Sequence, residues 1–62
     1  MDTITTTQAV AAMQKEGGNG IQKLAACWIA LDDERRQRLE RAFAAEFAEY
    51  RGVYAYLTKV AA

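Results

Sequence analysis

The sequence predicts a small all-α protein of three helices, in which two short helices pack on one long C-terminal helix. Thirteen alanines and the absence of proline favour helix along the whole chain. Apolar residues in the C-terminal half recur at spacings of three and four, which places them on one face of a helix. These residues are Leu39, Phe43, Phe47, Tyr50, Tyr54, Leu57 and Ala61. We therefore expect a single helical domain that spans residues 1–62.

The first helix is predicted over about residues 5–16. Thr5 is the expected N-cap, because Gln8 follows three residues later and completes a capping box. Gly17 and Gly18 are expected to end the helix by supplying the left-handed conformation. The apolar face of this helix is thin, so it needs another surface to pack on.

A glycine-rich loop at residues 17–20 leads to a second helix, predicted over about residues 20–31. Asn19 is the expected cap of this helix. Trp28 is the largest side chain on it and is expected to anchor it on the third helix. The apolar residues that follow at helical spacing are Ile21, Leu24, Ala25, Trp28 and Leu31.

The third helix is predicted over about residues 33–60. Asp32 is its expected N-cap, and the acidic residues Asp33 and Glu34 suit the positive end of the helix dipole. Gly52 is unexpected inside this helix, because glycine costs about 1 kcal/mol relative to alanine there. Its presence predicts a close backbone approach, a bend or the end of the helix.

The short chain predicts self-association. At 62 residues it lies below the size at which a single-chain core is comfortably stable, and one cysteine provides no disulfide framework. Eight basic and eight acidic residues balance, so the overall charge indicates neither a polyanion-binding protein nor an acidic mimic. We expect a homodimeric helical bundle, or a higher oligomer.

A cytoplasmic location is expected. The N-terminus has neither the basic segment nor the apolar run of a signal peptide, and the unpaired Cys27 fits a reducing compartment. The longest apolar run, residues 24–31, has eight residues, whereas about 20 are needed to span a bilayer. The sequence therefore predicts no membrane partner.

Enzymatic activity is not expected, and no cofactor or metal is predicted. The chain contains no histidine and no serine, which excludes Ser-His-Asp triads and histidine-containing metal sites. Cys27 lies in an apolar run and is expected to be a buried or half-buried, inert thiol. Glu46 and Glu49, one helical turn apart, favour a structural role over catalysis. The loop at residues 17–20 precedes a helix N-terminus, but a connector is favoured over a site for a small anion.

The C-terminal third carries more apolar surface than so short a chain can bury, and this excess predicts an interface with a second copy or with another protein. The predicted interface residues are Phe47, Tyr50, Val53, Tyr54, Tyr56, Leu57 and Val60. Function is therefore expected to be binding. The alanine- and arginine-rich composition of so short a chain is consistent with a bacterial or phage accessory protein, and we expect an adaptor, or an inhibitor that occupies a site on a larger protein.

The alternative is a small dimeric DNA-binding transcriptional regulator. Its nucleic-acid contacts would come from the one basic cluster, which is Arg35, Arg36, Arg38 and Arg41. These arginines spread around the predicted helix, and acidic residues are interleaved with them. A self-compensating helix surface is therefore favoured over nucleic-acid contact.

Overall fold

The computed structural model describes residues 3–61, which form four α-helices and no strand within that range. The prediction of an all-helical protein is confirmed. The described part of the chain is small and compact, with a Cα radius of gyration of 11.3 Å. The helices are α1 (Thr6–Glu16), α2 (Asn19–Ala30), α3 (Asp33–Ala42) and α4 (Ala44–Ala61).

Two predicted helix starts are confirmed. The Thr5 hydroxyl accepts a hydrogen bond from the backbone N–H of Gln8 at 3.1 Å, and the Gln8 side chain accepts one from the Thr5 backbone N–H at 2.8 Å. This is a complete capping box at the start of α1. The Asp32 carboxylate accepts from the backbone N–H of Arg35 at 3.1 Å and caps α3.

The predicted left-handed end of α1 is wrong. Gly17 has φ −78° and ψ 154°, and no glycine among the described residues has a positive φ. The need for glycine is steric, because a Cβ at Gly17 would clash with the side chain of Ile21 and with the carbonyl oxygen of Met13. Because Gly17 has no side chain, the first turn of α2 can pack closely against the end of α1.

The predicted cap of α2 is also wrong. Asn19 is the first residue of the helix, and Gly18 occupies the N-cap position without a side-chain hydrogen bond. The Gln22 side chain instead donates to the carbonyl oxygen of Gly17 at 2.9 Å and holds the loop against the first turn of α2.

The single helix predicted over residues 33–60 is divided at Phe43, which has φ −118° and ψ 38°. A straight helix of that length would extend about 42 Å, but the longest dimension of the described chain is 33 Å. No proline or glycine lies near the break, and side chains of α3 on its N-terminal side are bonded to α1 and α2 through Glu40 and Arg36. At Gly52, by contrast, α4 continues, and an added Cβ would meet nothing within 4 Å.

The core lies mainly between α1 and α4, and α2 packs on α1. The side chains of α1 contribute more to this core than its thin apolar face indicated, whereas α3 has no buried residue. Half-buried apolar side chains of α2, α3 and α4 surround the core. The buried residues are Ala9, Val10, Ala12, Met13, Ala25, Trp28, Phe47 and Tyr50.

Candidate protein-interaction surface

One flank of α4 is closed by α1. The side chains of Phe47 and Tyr50 are only 1% and 9% exposed, and Met13 from α1 is fully buried beside them in the same cluster. Tyr54 is half-buried against this core, and its hydroxyl accepts a hydrogen bond from the Gln8 side chain at 3.3 Å. Four of the predicted interface residues therefore belong to the core of one protomer or pack against it: Phe47, Tyr50, Val53 and Tyr54.

A polar network seals this closed flank and joins all four helices. The indole N–H of Trp28 (α2) donates to Glu40 Oε2 (α3) at 2.9 Å, and the Thr6 hydroxyl (α1) donates to Glu40 Oε1 at 3.3 Å. Arg51 (α4) donates to the same Thr6 oxygen at 2.6 Å. Sequence reasoning missed Glu40, because nothing in the local pattern distinguishes it from the other charged residues of a polar helix.

Arg36 binds the C-terminal end of α2. Its guanidinium lies 4.3 Å from the centroid of the Trp28 ring, a cation–π distance. It also donates to the carbonyl oxygens of Trp28 and Ile29, both at 2.8 Å. The last carbonyls of a helix lack i+4 partners, and the Trp28 oxygen also accepts the backbone N–H of Leu31 at 3.3 Å. Arg36 therefore has a structural role that orients α3 against α2.

The C-terminal face of α4 is the exposed apolar surface formed by Val53, Tyr56, Leu57 and Val60. Tyr56 is 66% exposed and Val60 is 65% exposed, whereas Val53 and Leu57 are half-buried. Of the seven predicted interface residues, Tyr56 and Val60 are therefore the two that one protomer leaves mostly exposed, whereas Val53 also packs against the core. The exposed apolar surface of α4 therefore contains fewer residues than the sequence predicted.

The α2–α4 groove is a second open apolar feature, lying between α2 and the start of α4. Its volume is ≈ 570 Å³. Phe43, at the junction of α3 and α4, is 41% exposed in its wall. Lys23 and Glu46 are the two charged residues that border it. The lining residues are Gly18, Gly20, Ile21, Lys23, Leu24, Phe43 and Glu46.

The groove and the C-terminal face lie on the same side of α4. Glu46, Val53 and Val60 recur every seven residues, which keeps them within about 40° of one another around a helix. About 21 Å along the helix axis separates Glu46 from Val60. The sequence contained this heptad signal, but only the packing of α1 reveals which part of the apolar arc remains open.

The four arginines predicted as nucleic-acid contacts do not form a free basic surface. Arg35 pairs with Asp32 at 3.1 Å, and Arg38 pairs with Glu34 at 2.8 Å. Arg36 is bound to the end of α2. The fourth, Arg41, lines an open pocket of ≈ 300 Å³, and the carboxylate of Glu40 lies in the wall of the same pocket. The residues of this pocket are Gln37, Glu40, Arg41, Ala44, Phe47 and Arg51.

The expected burial of Cys27 is wrong, because its thiol is exposed on α2. Glu46 is half-buried at the groove and Glu49 is exposed. Within residues 3–61, no three His, Cys, Asp or Glu side chains come together as a metal site. The same part of the chain has no helix long and apolar enough to cross a membrane.

Neither protein-family models, nor curated proteins, nor solved structures match this chain. A functional proposal therefore rests on the chemistry and geometry of its described surface.

Proposed function

We propose that this chain is a non-enzymatic protein–protein interaction module. In this proposal it is a homodimeric accessory or inhibitor protein of bacterial or phage type that acts by occupying a site on a larger protein. The observation that carries the proposal is the C-terminal face, where Tyr56 and Val60 are about two-thirds exposed on the helix α4.

The chemistry of this face suits a protein contact. Burying a large apolar side chain contributes roughly 1.5–3 kcal/mol, so two such residues supply a useful part of a binding energy. A tyrosine also keeps a hydroxyl for hydrogen bonding at the rim of an interface, and tyrosines are enriched in such interfaces. Val53 and Leu57, half-buried beside them, extend the apolar strip along the helix.

The arrangement of the arginines favours protein contact over the DNA-binding alternative. Nucleic-acid affinity depends on cations that are free to neutralise phosphates. Arg35 and Arg38 already have carboxylate partners, and Arg36 has only 29% of its side chain exposed. A regulator that used this helix would have to give up those contacts on binding.

Affinity capture from the source cell tests the proposal. Tagged wild-type chain is compared with the double variant Tyr56→Asp plus Val60→Asp, after circular dichroism has established that both are helical. The matched control is Ile29→Asp, which alters an apolar side chain 46% exposed on α2 outside the groove and the C-terminal face.

We expect the double variant to lose the captured protein and the control to retain it. Equal recovery with all three chains would overturn the assignment of the C-terminal face. Loss of recovery on raising salt, together with loss in Arg38→Glu plus Arg41→Glu, would instead support the nucleic-acid alternative.

A further inference from the structure

We propose that the open pocket at the junction of α3 and α4 binds a small carboxylate anion through the guanidinium groups of Arg41 and Arg51. The pocket has a volume of ≈ 300 Å³. It is lined by other residues than the C-terminal face, so this inference does not depend on the proposed function. The ligand is either a free short-chain acid or the carboxylate at the C-terminus of a peptide.

The pocket is built across the break at Phe43. Arg41 belongs to the last turn of α3, and Arg51 lies near the middle of α4. Ten residues separate the two arginines, which would be about 15 Å along a straight helix. In the folded chain, α3 and α4 meet at the break, and both arginine side chains line the same pocket. The two cations are therefore brought together by the fold and not by local sequence.

The two arginines are not neutralised by other side chains in the protomer. Within residues 3–61, neither Arg41 nor Arg51 forms an ion pair. The carboxylate in the pocket wall is that of Glu40, and its two oxygens accept hydrogen bonds from Trp28 and Thr6. A guanidinium group has five N–H donors, so both arginines keep donors for a ligand.

Arg51 is held in place before a ligand arrives. Its guanidinium donates to the Thr6 hydroxyl at 2.6 Å, and its side chain is half-buried. A donor that is already positioned loses less conformational entropy when it binds a ligand. Arg41 is exposed, and the amide side chain of Gln37 in the same wall offers further N–H donors. The pocket therefore combines a fixed guanidinium with a mobile one.

Charge favours a carboxylate over a phosphate. The pocket wall contains the two guanidinium cations of Arg41 and Arg51 and the one carboxylate of Glu40. These sum to one positive charge, which a single carboxylate balances. A phosphate monoester carries roughly −1.5 to −2 charges at pH 7, and the excess would lie beside Glu40. Arginine also binds carboxylates through two parallel hydrogen bonds, which a spherical anion such as chloride cannot accept.

The size of the pocket limits the rest of the ligand. Its volume is at the lower end of the range of about 300–1,000 Å³ that is usual for ligand pockets. Ala44 is the exposed apolar residue of the wall, whereas Phe47 is almost fully buried below it. The carboxylate should therefore be carried on a short aliphatic group.

Nuclear magnetic resonance titration of the full chain with sodium propionate tests the inference. At constant pH and ionic strength we expect saturable shifts of the Arg41 and Arg51 side-chain N–H signals, with a dissociation constant on the order of 1 mM. Sodium phosphate and sodium chloride are the comparison salts. We expect phosphate to bind at least about tenfold more weakly than propionate and chloride to give no saturable shift.

Substitutions identify the groups that bind. Arg41→Gln should raise the dissociation constant roughly tenfold, and it removes no hydrogen bond or ion pair within residues 3–61. Arg51→Gln should do the same, although it also removes the bond to Thr6. The matched control is Arg35→Gln, because that guanidinium pairs with Asp32 outside the pocket. Propionate affinity should be unchanged in this control.

Two further probes identify the source of the carboxylate. N-acetyl-alanyl-alanine has a free C-terminal carboxylate, and its C-terminal amide lacks one. Tighter binding of the free peptide than of propionate, with no binding of the amide, would assign the site to a peptide terminus. Tighter binding of propionate would assign it to a free acid, and both results would support the site.

Three results would overturn the inference. The first is a set of shifts that grow linearly and equally with propionate and chloride, which would be an effect of salt alone. The second is an Arg41→Gln variant that binds propionate as tightly as the wild-type chain. The third is phosphate binding tighter than propionate, which would contradict the charge of the ligand.

Discussion

The two flanks of α4 differ in how deeply similar apolar residues are buried. On the flank that faces α1, Phe47 and Tyr50 are buried, and the Glu40 network joins the surrounding helices. On the other flank Tyr56 remains 66% exposed, and Phe43, at the junction just before α4, is 41% exposed. The helix α1 covers one flank closely, whereas the other flank remains open.

This difference indicates that the two flanks serve different purposes. A chain of 62 residues has enough apolar surface for one closed interface between helices and some in excess. The closed flank holds the protomer together, because its residues have partners in the same chain. The open flank is the surface that we propose for binding. Substitutions on the two flanks should therefore have distinct effects on folding and on association.

The largest effect is expected from the closed flank. Phe47→Ala should lower the free energy of unfolding by about 3–5 kcal/mol, because it removes a fully buried ring and leaves a cavity. Tyr56→Ala, the matched change on the open flank, should shift it by less than about 0.5 kcal/mol. Urea titration followed by circular dichroism, in dilute solution so that dimerisation does not contribute, measures both. Equal losses would show that the two flanks do not differ.

The next effect concerns the junction that sets the position of α2. Gly17→Ala should destabilise the protein by about 1–3 kcal/mol, because the new Cβ overlaps Ile21 and the Met13 carbonyl oxygen. Gly18→Ala is the control, since an added Cβ there meets nothing within 4 Å. Thermal unfolding of the two variants should differ clearly. Similar melting temperatures would contradict the close approach of α1 and α2.

A comparable or smaller loss is expected at the network that seals the closed flank. Glu40→Ala leaves the Trp28 indole N–H and the Thr6 hydroxyl without their acceptor, and the expected cost is about 1–3 kcal/mol. Glu34→Ala removes an exposed ion pair with Arg38 and should cost at most about 1 kcal/mol. Chemical denaturation compares the two. A Glu40 variant as stable as the Glu34 variant would show that the hydrogen bonds of Glu40 do not stabilise the protein.

The smallest effect should be a gain in stability. Gly52→Ala should stabilise the protomer by up to about 1 kcal/mol, since α4 continues through this position and a methyl group there meets open space. Thermal unfolding in dilute solution measures the gain. A loss of stability would mean that another backbone approaches Gly52 after all.

Local signals in the sequence predicted the starts of α1 and α3, whereas the position of α2 and the break at Phe43 depend on contacts between helices. Thr5 with Gln8, and Asp32 ahead of two acidic residues, cap helices by contacts within a few residues. The break at Phe43 has no local signal, because no proline or glycine lies there. It depends on contacts of α3 with distant residues such as Trp28.

The exposed apolar surface of α4 was predicted in part for the same reason. The apolar excess after Tyr50 is visible from composition and periodicity alone. Which residues stay exposed depends on where α1 and α2 lie, and this removes Phe47 and Tyr50 from the open surface. The role of Gly17 was misjudged because a steric requirement depends on a neighbour, Ile21, that the helix-end rule does not consider.

Amide chemical shifts recorded over a dilution series test the central claim most directly. If a second copy covers the open flank, as the proposed homodimer requires, concentration-dependent shifts should map to the C-terminal face, including Tyr56 and Val60. Amides around Thr6 and Phe47 on the closed flank should be unchanged. Shifts centred on α3, or none at any concentration, would contradict the account.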